Sequence, residues 1–185
     1  MVDCIYMTKI DHQNAKLVRP DILYRESYIE AKEEVLREGD KKSFSTEQMI
    51  SEFDTYLKTI SDNEQGIGLP EQFDKQLVFW LVDGEQYIGR AIIRHRVIEQ
   101  GLHNGWHLGY SVRPSKQQQG YGTLILKLGL QEVERLGIKK VFLVCDSDNL
   151  PSKIMIEKAG ANFEREVSRA KPEGKDRLEY SLQLT

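Results

Sequence analysis

The spacing of apolar residues changes along the chain from helical in the first third to strand-like in the middle. The opening stretch at residues 2–10, VDCIYMTKI, alternates loosely and predicts a short strand. Residues 20–38 carry apolar positions at helical spacing and stop at Gly39, which predicts a helix with a glycine C-cap. A second helix is predicted over residues 45–61, because that segment opens with capping-box spacing and continues as an apolar stripe. Two glycines and a proline then predict an irregular loop over residues 62–74.

The middle of the chain contains the strongest strand signals. QLVFWLV at residues 76–82 and QYIGRAIIRHRV at residues 86–97 are rich in β-branched and aromatic residues, and they flank the dipeptide Asp83-Gly84. An Asp-Gly pair between two such runs is typical of a tight hairpin turn. GWHLGYSV at residues 105–112 predicts a third strand. The three strands can form an antiparallel meander.

Helices and strands alternate in the last third of the chain. Residues 124–136 are apolar around much of the helical circumference, which predicts a largely buried helix packed on a sheet. KKVFLVCD at residues 139–146 is a short apolar run suited to a central strand. A helix is predicted over residues 150–159, and a closing hairpin over residues 162–168 and 177–184. This order of elements predicts a mixed α/β fold.

Composition places the chain among globular proteins and limits its partners. With 185 residues, 39% hydrophobic and 30% charged, it fits one domain spanning residues 1–185. Its apolar runs are too short for a bilayer span and its start lacks the order of a secretory signal, so we expect a cytoplasmic protein with no membrane partner. A net charge of -3, mixed along the chain, gives no support for a nucleic-acid partner. Cys4 and Cys145 lack metal-ligand spacing, so we expect reduced thiols and no metal.

One turn carries the candidate chemistry: SVRPSKQQQGYGT, residues 111–123, joins the third predicted strand to the buried helix. Main-chain N–H groups converge at a helix N-terminus, the helix dipole favours an anion there, and glycine lets the backbone approach it closely. The turn therefore predicts a phosphate or pyrophosphate site. It lacks the Gly-Lys-Ser/Thr ending of a nucleotide P-loop, and Ile125 stands where a dinucleotide fingerprint needs glycine. The candidate anion-binding residues are Gln117, Gln118, Gln119, Gly120, Tyr121, Gly122 and Thr123.

Two motifs resemble those of one protein family. QQQGYG at residues 117–122 is similar to the acetyl-coenzyme A signature of the GNAT N-acetyltransferase superfamily, Gln/Arg-x-x-Gly-x-Gly/Ala. Downstream, CDSDNLPSKIMIEKAGA resembles the family's second cofactor segment, in which an Asn, here Asn149, is followed three positions later by a small residue, here Ser152. The resemblance covers residues 77–185. It implies a mostly antiparallel central sheet with helices on both faces. The sheet is splayed between the cofactor strand, which by position contains residues 108–112, and the next strand, which contains residues 141–145.

The resemblance also implies an activity. An amine attacks the thioester carbonyl of acetyl-coenzyme A, the cosubstrate, and a thiolate leaves by way of a tetrahedral oxyanion. The acceptor is then a primary amine on a small molecule or a peptide. The resemblance gives Tyr110 and Val112 main-chain contacts with pantetheine and thioester, and residues 117–123 the pyrophosphate. It also implies that Asn149 and Ser152 lie on the side of the cofactor cleft that contacts pantetheine.

The two halves of the chain are expected to differ in role. Residues 1–75 are expected to form the acceptor side, and residues 76–185 the sheet and the acetyl-coenzyme A site. The sequence does not choose between a polyamine, an amino acid, an antibiotic and a protein terminus as acceptor. It leaves the oligomeric state open, with a homodimer among the possibilities.

The chain departs from the family at the proton donor. Many members carry a tyrosine seven positions after the Asn, where this chain has Ile156. The departure leaves two functions open: an acetyltransferase with another acid, and a non-catalytic acyl-coenzyme A binding module. Tyr110, Tyr121 and Tyr180 are the candidate replacement acids.

A general base is needed to remove a proton from the attacking amine. His107 is the preferred candidate, because it lies on the cofactor strand and an unperturbed imidazole titrates near pH ~6.5. Asp146, at the end of the next predicted strand, and Glu99, in a loop between strands, are the alternatives.

Overall fold

The computed structural model of the chain describes residues 12–39, 46–69, 75–95, 105–168 and 175–184. Within these ranges the chain forms seven strands and five α-helices, joined by turns and two short 3-10 segments. The predicted strand over residues 2–10, together with Cys4 and Glu99, lies outside the described residues.

The N-terminal part is a short strand followed by helices. Its elements are strand β1 at Ala15–Val18, a 3-10 turn at Ile22–Tyr24, and helix α1 at Arg25–Arg37. The predicted helix over residues 20–38 therefore opens with a tighter turn than an α-helix. Strand β1 was not predicted, because four residues of mixed polarity are too short for a recognisable period.

The second predicted helix is divided into two, α2 at Thr46–Ser51 and α3 at Phe53–Gln65. Glu52 interrupts the helix with a φ of -107° and a ψ of 11°. Helix α3 ends where Gly66 adopts the left-handed conformation, with a φ of 83°. The prediction of an irregular loop beginning at residue 62 was therefore wrong for its first residues, which are helical.

The first sheet contains β1 and the predicted meander. Its other strands are β2 at Gln76–Asp83, β3 at Gln86–Arg94 and β4 at Leu108–Val112. All neighbours are antiparallel in the order β1-β2-β3-β4. The meander is confirmed, although β4 begins three residues later than predicted.

The second sheet holds the closing hairpin. Its elements and the helices beside it are α4 at Tyr121–Arg135, β5 at Lys140–Asp146, α5 at Leu150–Lys158, β6 at Asn162–Val167 and β7 at Arg177–Gln183. The strand order is β5-β7-β6, with antiparallel neighbours. Helix α4 begins three residues before the predicted position, so the end of the glycine turn forms its first turn.

In the described part of the chain, the two sheets are joined by hydrogen bonds at His107 and Phe142, and then they diverge. The His107 main-chain N–H donates to the Phe142 carbonyl at 2.9 Å, and the Phe142 N–H donates to Nδ1 of His107 at 3.0 Å. Beyond this point β4 and β5 belong to separate sheets. The splay between the cofactor strand and the next strand, which the resemblance implied, is confirmed.

Helices cover both faces of the sheets and enclose two apolar cores. Helix α4 packs on β3 and β4, with Ile125 fully buried beside Leu81 and Leu143. On the other side, α1 and α3 pack on β3 and β2, around the stacked rings of Tyr28 and Trp80. The mixed α/β fold with helices on both faces is confirmed. Among the described residues, we find no helix with the length and apolar character needed to cross a membrane.

Candidate functional site

The divergence of β4 and β5 opens a cleft of about 190 Å³ between these strands and helix α5. It is lined by Trp106, Leu108, Gly109, Tyr110, Leu143, Val144, Cys145, Asp146, Asn149, Ser152, Ile156 and Arg177. The cleft brings together four of the predicted site residues, Tyr110, Asp146, Asn149 and Ser152. His107 is not in its lining.

The glycine turn lies at the far end of β4, where that strand runs into helix α4. Gly120 caps the helix in the left-handed conformation, with a φ of 86°. Leu124 is the first helix residue whose N–H finds an acceptor, the Gly120 carbonyl at 3.1 Å. The N–H groups of Tyr121, Gly122 and Thr123 therefore lack intrahelical acceptors, as in any first helical turn. This arrangement can bind an anion.

Two of the three glutamines brace the turn with their side chains. Nε2 of Gln119 donates to the Ser115 carbonyl at 2.8 Å, and Nε2 of Gln117 donates to the Val112 carbonyl at 3.3 Å. Gln118 has a φ of 58°, an uncommon value for a residue other than glycine. The side-chain amides of Gln117 and Gln119 are thus engaged within the turn.

His12 packs against the turn, and sequence reasoning missed it. Its Nε2 lies 2.9 Å from the Gln119 carbonyl oxygen, and its ring is 4.0 Å from the Tyr121 ring. Tyr121 in turn donates to Asp83 at 2.6 Å, and burial, followed by this hydrogen bond, raises the pKa of Tyr121 to about 12. No sequence pattern could reveal a contact between residues 107 positions apart.

Gly122 has a packing role that the sequence did not show. A Cβ atom at this position would lie 2.8 Å from Sδ of Met155 on helix α5. Glycine therefore lets α4 approach α5 closely. The side chain of Met155 is flexible, so a small substitution has room for adjustment.

The second motif forms the start of helix α5. The side-chain oxygen of Asn149 accepts from the Ser152 N–H at 3.1 Å, which is the geometry of an N-cap. This bond fixes Ser152 in the wall of the cleft. Ile156, one turn further along, is almost fully buried and also lines the cleft.

The three candidate acids differ in their surroundings. Tyr121 donates to Asp83, and Tyr180 donates to Glu157 at 3.2 Å. Tyr110 lines the cleft, and its buried hydroxyl makes no hydrogen bond of regular geometry with the described residues. Burial raises the pKa of Tyr110, and the nearby Ser152 side chain opposes that shift. Tyr110 is therefore the candidate that the structure places beside the cleft without a regular partner.

The two candidate bases also differ. His107 is 7% exposed, and the Phe142 N–H occupies its Nδ1. Burial, and then the nearby His95, lower the pKa of His107. Asp146 lies in the cleft wall, with Oδ1 at 3.7 Å from Nε of Arg177. Of the two candidate bases that the structure describes, Asp146 lines the cleft and His107 does not.

The described residues hold no cluster of three or more side chains suited to a metal ion. Cys145 is a buried free thiol in the cleft wall, and burial is the main cause of its raised pKa. The polar side chains of the cleft wall include the hydroxyls of Tyr110 and Ser152, the amide of Asn149, one thiol and one carboxylate-arginine pair.

A splayed sheet, with a glycine turn at the end of one strand and a cleft beside it, is the arrangement that the two sequence motifs implied. The sequence profile of the acetyltransferase (GNAT) domain matches residues 21–162, which is more than half of the chain. The chain belongs to the GNAT acetyltransferase family.

Several solved structures have a similar fold. The microcin C7 self immunity acetyltransferase MccE, in complex with acetyl-CoA and AMP, has a TM-score of 0.67 at 18% identity, over 92% of this chain and 93% of that one. RimJ of Mycobacterium smegmatis, in complex with CoA-disulfide, has a TM-score of 0.72 at 13% identity, over 91% and 81% of the two chains. The ribosomal L7/L12 alpha-N-protein acetyltransferase RimL, in complex with coenzyme A, has a TM-score of 0.67 at 14% identity, over 92% and 94%. A comparison with curated proteins gave no match.

Proposed function

We propose that the chain transfers the acetyl group of acetyl-coenzyme A to a primary amine. The observation that carries this proposal is the connection of two features by one strand: β4 lines the cleft with Tyr110 and leads directly into the turn capped by Gly120. A cofactor with a thioester at one end and a pyrophosphate at the other matches that layout. The bound cofactor would supply the activated acyl group.

The binding roles follow from the donors and acceptors in place. Main-chain N–H groups of the turn would bind the pyrophosphate, because a helix N-terminus favours an anion. The Gln117 N–H already donates to the Pro114 carbonyl at 3.1 Å, so residues 118–123 would supply the donors. Tyr110 and Val112 on β4, with Asn149 and Ser152 on the opposite side, would flank the pantetheine arm. The Val112 carbonyl already accepts from Gln117, so its N–H is the better candidate for a cofactor contact.

The proton transfers are assigned to residues of the cleft wall. Asp146 would accept the proton that the amine loses as its nitrogen forms a bond to the carbonyl carbon. The leaving thiolate would take a proton from Tyr110 or from water, since Ile156 offers none. A thiolate is a moderately good leaving group, so the missing tyrosine does not forbid turnover.

The acceptor is proposed to be a small amine or a peptide amine that reaches the cleft from the side of residues 1–75. One similar structure is named an alpha-N-protein acetyltransferase, and another acetylates an alanine of a ribosomal protein according to its name. Peptides with a free N-terminus therefore belong in the first panel of acceptors. Amino acids, polyamines and aminoglycosides complete it.

The test is a measurement of free coenzyme A thiol released from acetyl-coenzyme A with this panel. Asp146→Asn should lower kcat about 100-fold or more, the usual contribution of a general base, and leave the Kd of coenzyme A within a few-fold. Asp148→Asn is the matched control, because Asp148 is exposed, pairs with Lys175 and does not line the cleft. It should leave kcat unchanged.

Ile156 is the observation that favours a second function, an acyl-coenzyme A binding module without turnover. In that case acetyl-coenzyme A would bind to the wild-type chain, yet no amine in the panel would raise thiol release above the rate without acceptor. Equal rates for the wild-type chain and Asp146→Asn, with turnover present, would remove Asp146 from the mechanism.

A further inference from the structure

An ion pair outside the cleft, between a buried arginine and a half-buried glutamate, connects helix α1 to the glycine turn. Arg113, directly after β4, is 8% exposed. Its guanidinium donates to Oε1 of Glu34 from Nε at 3.1 Å and from Nη2 at 2.5 Å. Nη1 donates to the Ser27 hydroxyl at 3.2 Å and to the Tyr87 carbonyl at 3.1 Å. The buried charge is thus fully engaged by α1 and β3.

The Glu34 carboxylate also holds the chain that leads into the turn. Its Oε2 accepts from the Ser115 N–H at 3.0 Å, and its Oε1 accepts from the Ser115 hydroxyl at 2.8 Å. Burial alone would raise the pKa of Glu34, but hydrogen bonds from Arg113 and Ser115 outweigh it and lower that pKa to about 2. The carboxylate therefore stays ionised and keeps all four contacts at neutral pH.

Ser115 passes this constraint on to the turn itself. Its carbonyl accepts from Nε2 of Gln119, and the Gln119 carbonyl lies against Nε2 of His12. The peptide that follows Gln119 carries the Gly120 N–H, which points away from that carbonyl because the peptide group is planar and trans. A continuous series of contacts thus runs from Glu34 through Ser115 and Gln119 to the Gly120 N–H.

We propose that Glu34 is a positioning residue for the cofactor: through Ser115 and Arg113 it fixes the turn at residues 117–121 in the geometry that binds pyrophosphate. The proposal rests on the proposed function, in which this turn binds the pyrophosphate of coenzyme A. Stability alone does not require the pair, since well-packed apolar residues often replace a buried ion pair without loss. An apolar pair, however, provides no acceptor for Ser115.

The experiment uses that difference. Glu34→Gln alone leaves Arg113 with a weaker partner, so it should lower both the melting temperature and the affinity for coenzyme A. The double variant Glu34→Leu with Arg113→Met removes both charges and should recover most of the melting temperature. Its Kd for coenzyme A should nevertheless rise about tenfold, the usual effect of losing a hydrogen bond to a charged group.

A matched control and a second substrate separate positioning from general damage. Arg165 and Glu179 form a pair with Nε to Oε2 at 2.8 Å on β6 and β7, away from the turn. Arg165→Met with Glu179→Leu should leave the Kd of coenzyme A unchanged. With acetyl-pantetheine, which lacks the pyrophosphate, kcat/KM of the Glu34→Leu, Arg113→Met variant should equal that of the wild-type chain.

The outcomes are distinct. If the double variant Glu34→Leu with Arg113→Met binds coenzyme A as tightly as the wild-type chain, Glu34 and Arg113 only stabilise the fold and the inference is wrong. Equal losses of kcat/KM with acetyl-coenzyme A and acetyl-pantetheine would also overturn it, because the effect would then lie in the cleft. A wild-type chain that binds no coenzyme A would instead overturn the proposed function itself.

Discussion

At the scale of single residues, the hydrogen bond from the Phe142 N–H determines which role His107 can have. Because Nδ1 accepts from the Phe142 N–H, the neutral ring carries its proton on Nε2 and has no free lone pair. We infer that His107 joins β4 and β5 at the point where the sheets diverge, rather than serving as the base. The sequence favoured His107 for its position on the cofactor strand and its ordinary pKa, and neither reason reveals a partner 35 positions away.

The pH dependence of stability tests this role. Burial lowers the pKa of His107 in the folded chain, so the unfolded chain binds the proton more readily. Its contribution to stability is therefore complete above pH ~6.5 and is lost as the pH falls through the lower folded-state pKa. His107→Asn can still accept from Phe142 but does not titrate. Its melting temperature should fall less than that of the wild-type chain between about pH 7.5 and about pH 5.5.

The comparison with His107→Ala completes this test. Alanine leaves the Phe142 N–H without an acceptor and should cost about 1–3 kcal/mol of unfolding free energy. If His107→Asn loses as much stability as His107→Ala, or keeps the full pH dependence of the wild-type chain, the hydrogen bond to Phe142 is not what His107 contributes.

At the scale of elements, two glycines bracket helix α4 and form a natural pair of variants. Gly120 and Gly137 have positive φ values of 86° and 78°. A Cβ at Gly120 would lie 3.2 Å from Nε2 of His12, whereas at Gly137 it would meet no heavy atom of the described chain within 4 Å. Alanine at either position should cost about 1 kcal/mol of stability for the left-handed backbone.

Only one of these two variants should change the affinity for coenzyme A. Gly120→Ala should raise the Kd of coenzyme A, because the new Cβ displaces the His12 ring from the Gln119 carbonyl. The peptide group can then rotate, and the Gly120 N–H in the same peptide group changes direction. Gly137→Ala should leave that Kd unchanged. Titration calorimetry measures both. If both variants lose affinity for coenzyme A equally, the loss comes from lower stability of the fold and not from a change in the turn.

Element boundaries show where sequence patterns lose information. The turn and helix α4 were predicted from glycine placement and apolar spacing, and helix α4 was confirmed with a start three residues earlier. The break between α2 and α3 at Glu52 was not predicted, because the apolar stripe continues through it and packing against the aromatic core decides the boundary. Short strands such as β1 likewise depend on a neighbour, here β2, for their existence.

At the scale of the whole molecule, the order of elements and two motifs were enough to predict the splayed α/β fold. The spacing of apolar residues predicts the strands and helices, and the glycine turn predicts the point where β4 connects to α4. The connections that hold the site in place join residues far apart in sequence, as Glu34 with Ser115 and His12 with Gln119 do. Such contacts arise from packing in three dimensions, and a single sequence carries no pattern for them.

In the proposed function, the cleft and the turn together bind acetyl-coenzyme A. The most direct test is the melting temperature of the wild-type chain with millimolar acetyl-coenzyme A, with acetyl-pantetheine as the comparison. A ligand at 100 times its Kd stabilises the folded state by about 2.7 kcal/mol, which for a chain of this size raises the melting temperature by roughly 5–10 °C. We expect that rise with acetyl-coenzyme A and a much smaller one with acetyl-pantetheine. An unchanged melting temperature with acetyl-coenzyme A, or the same rise with both ligands, would contradict the account.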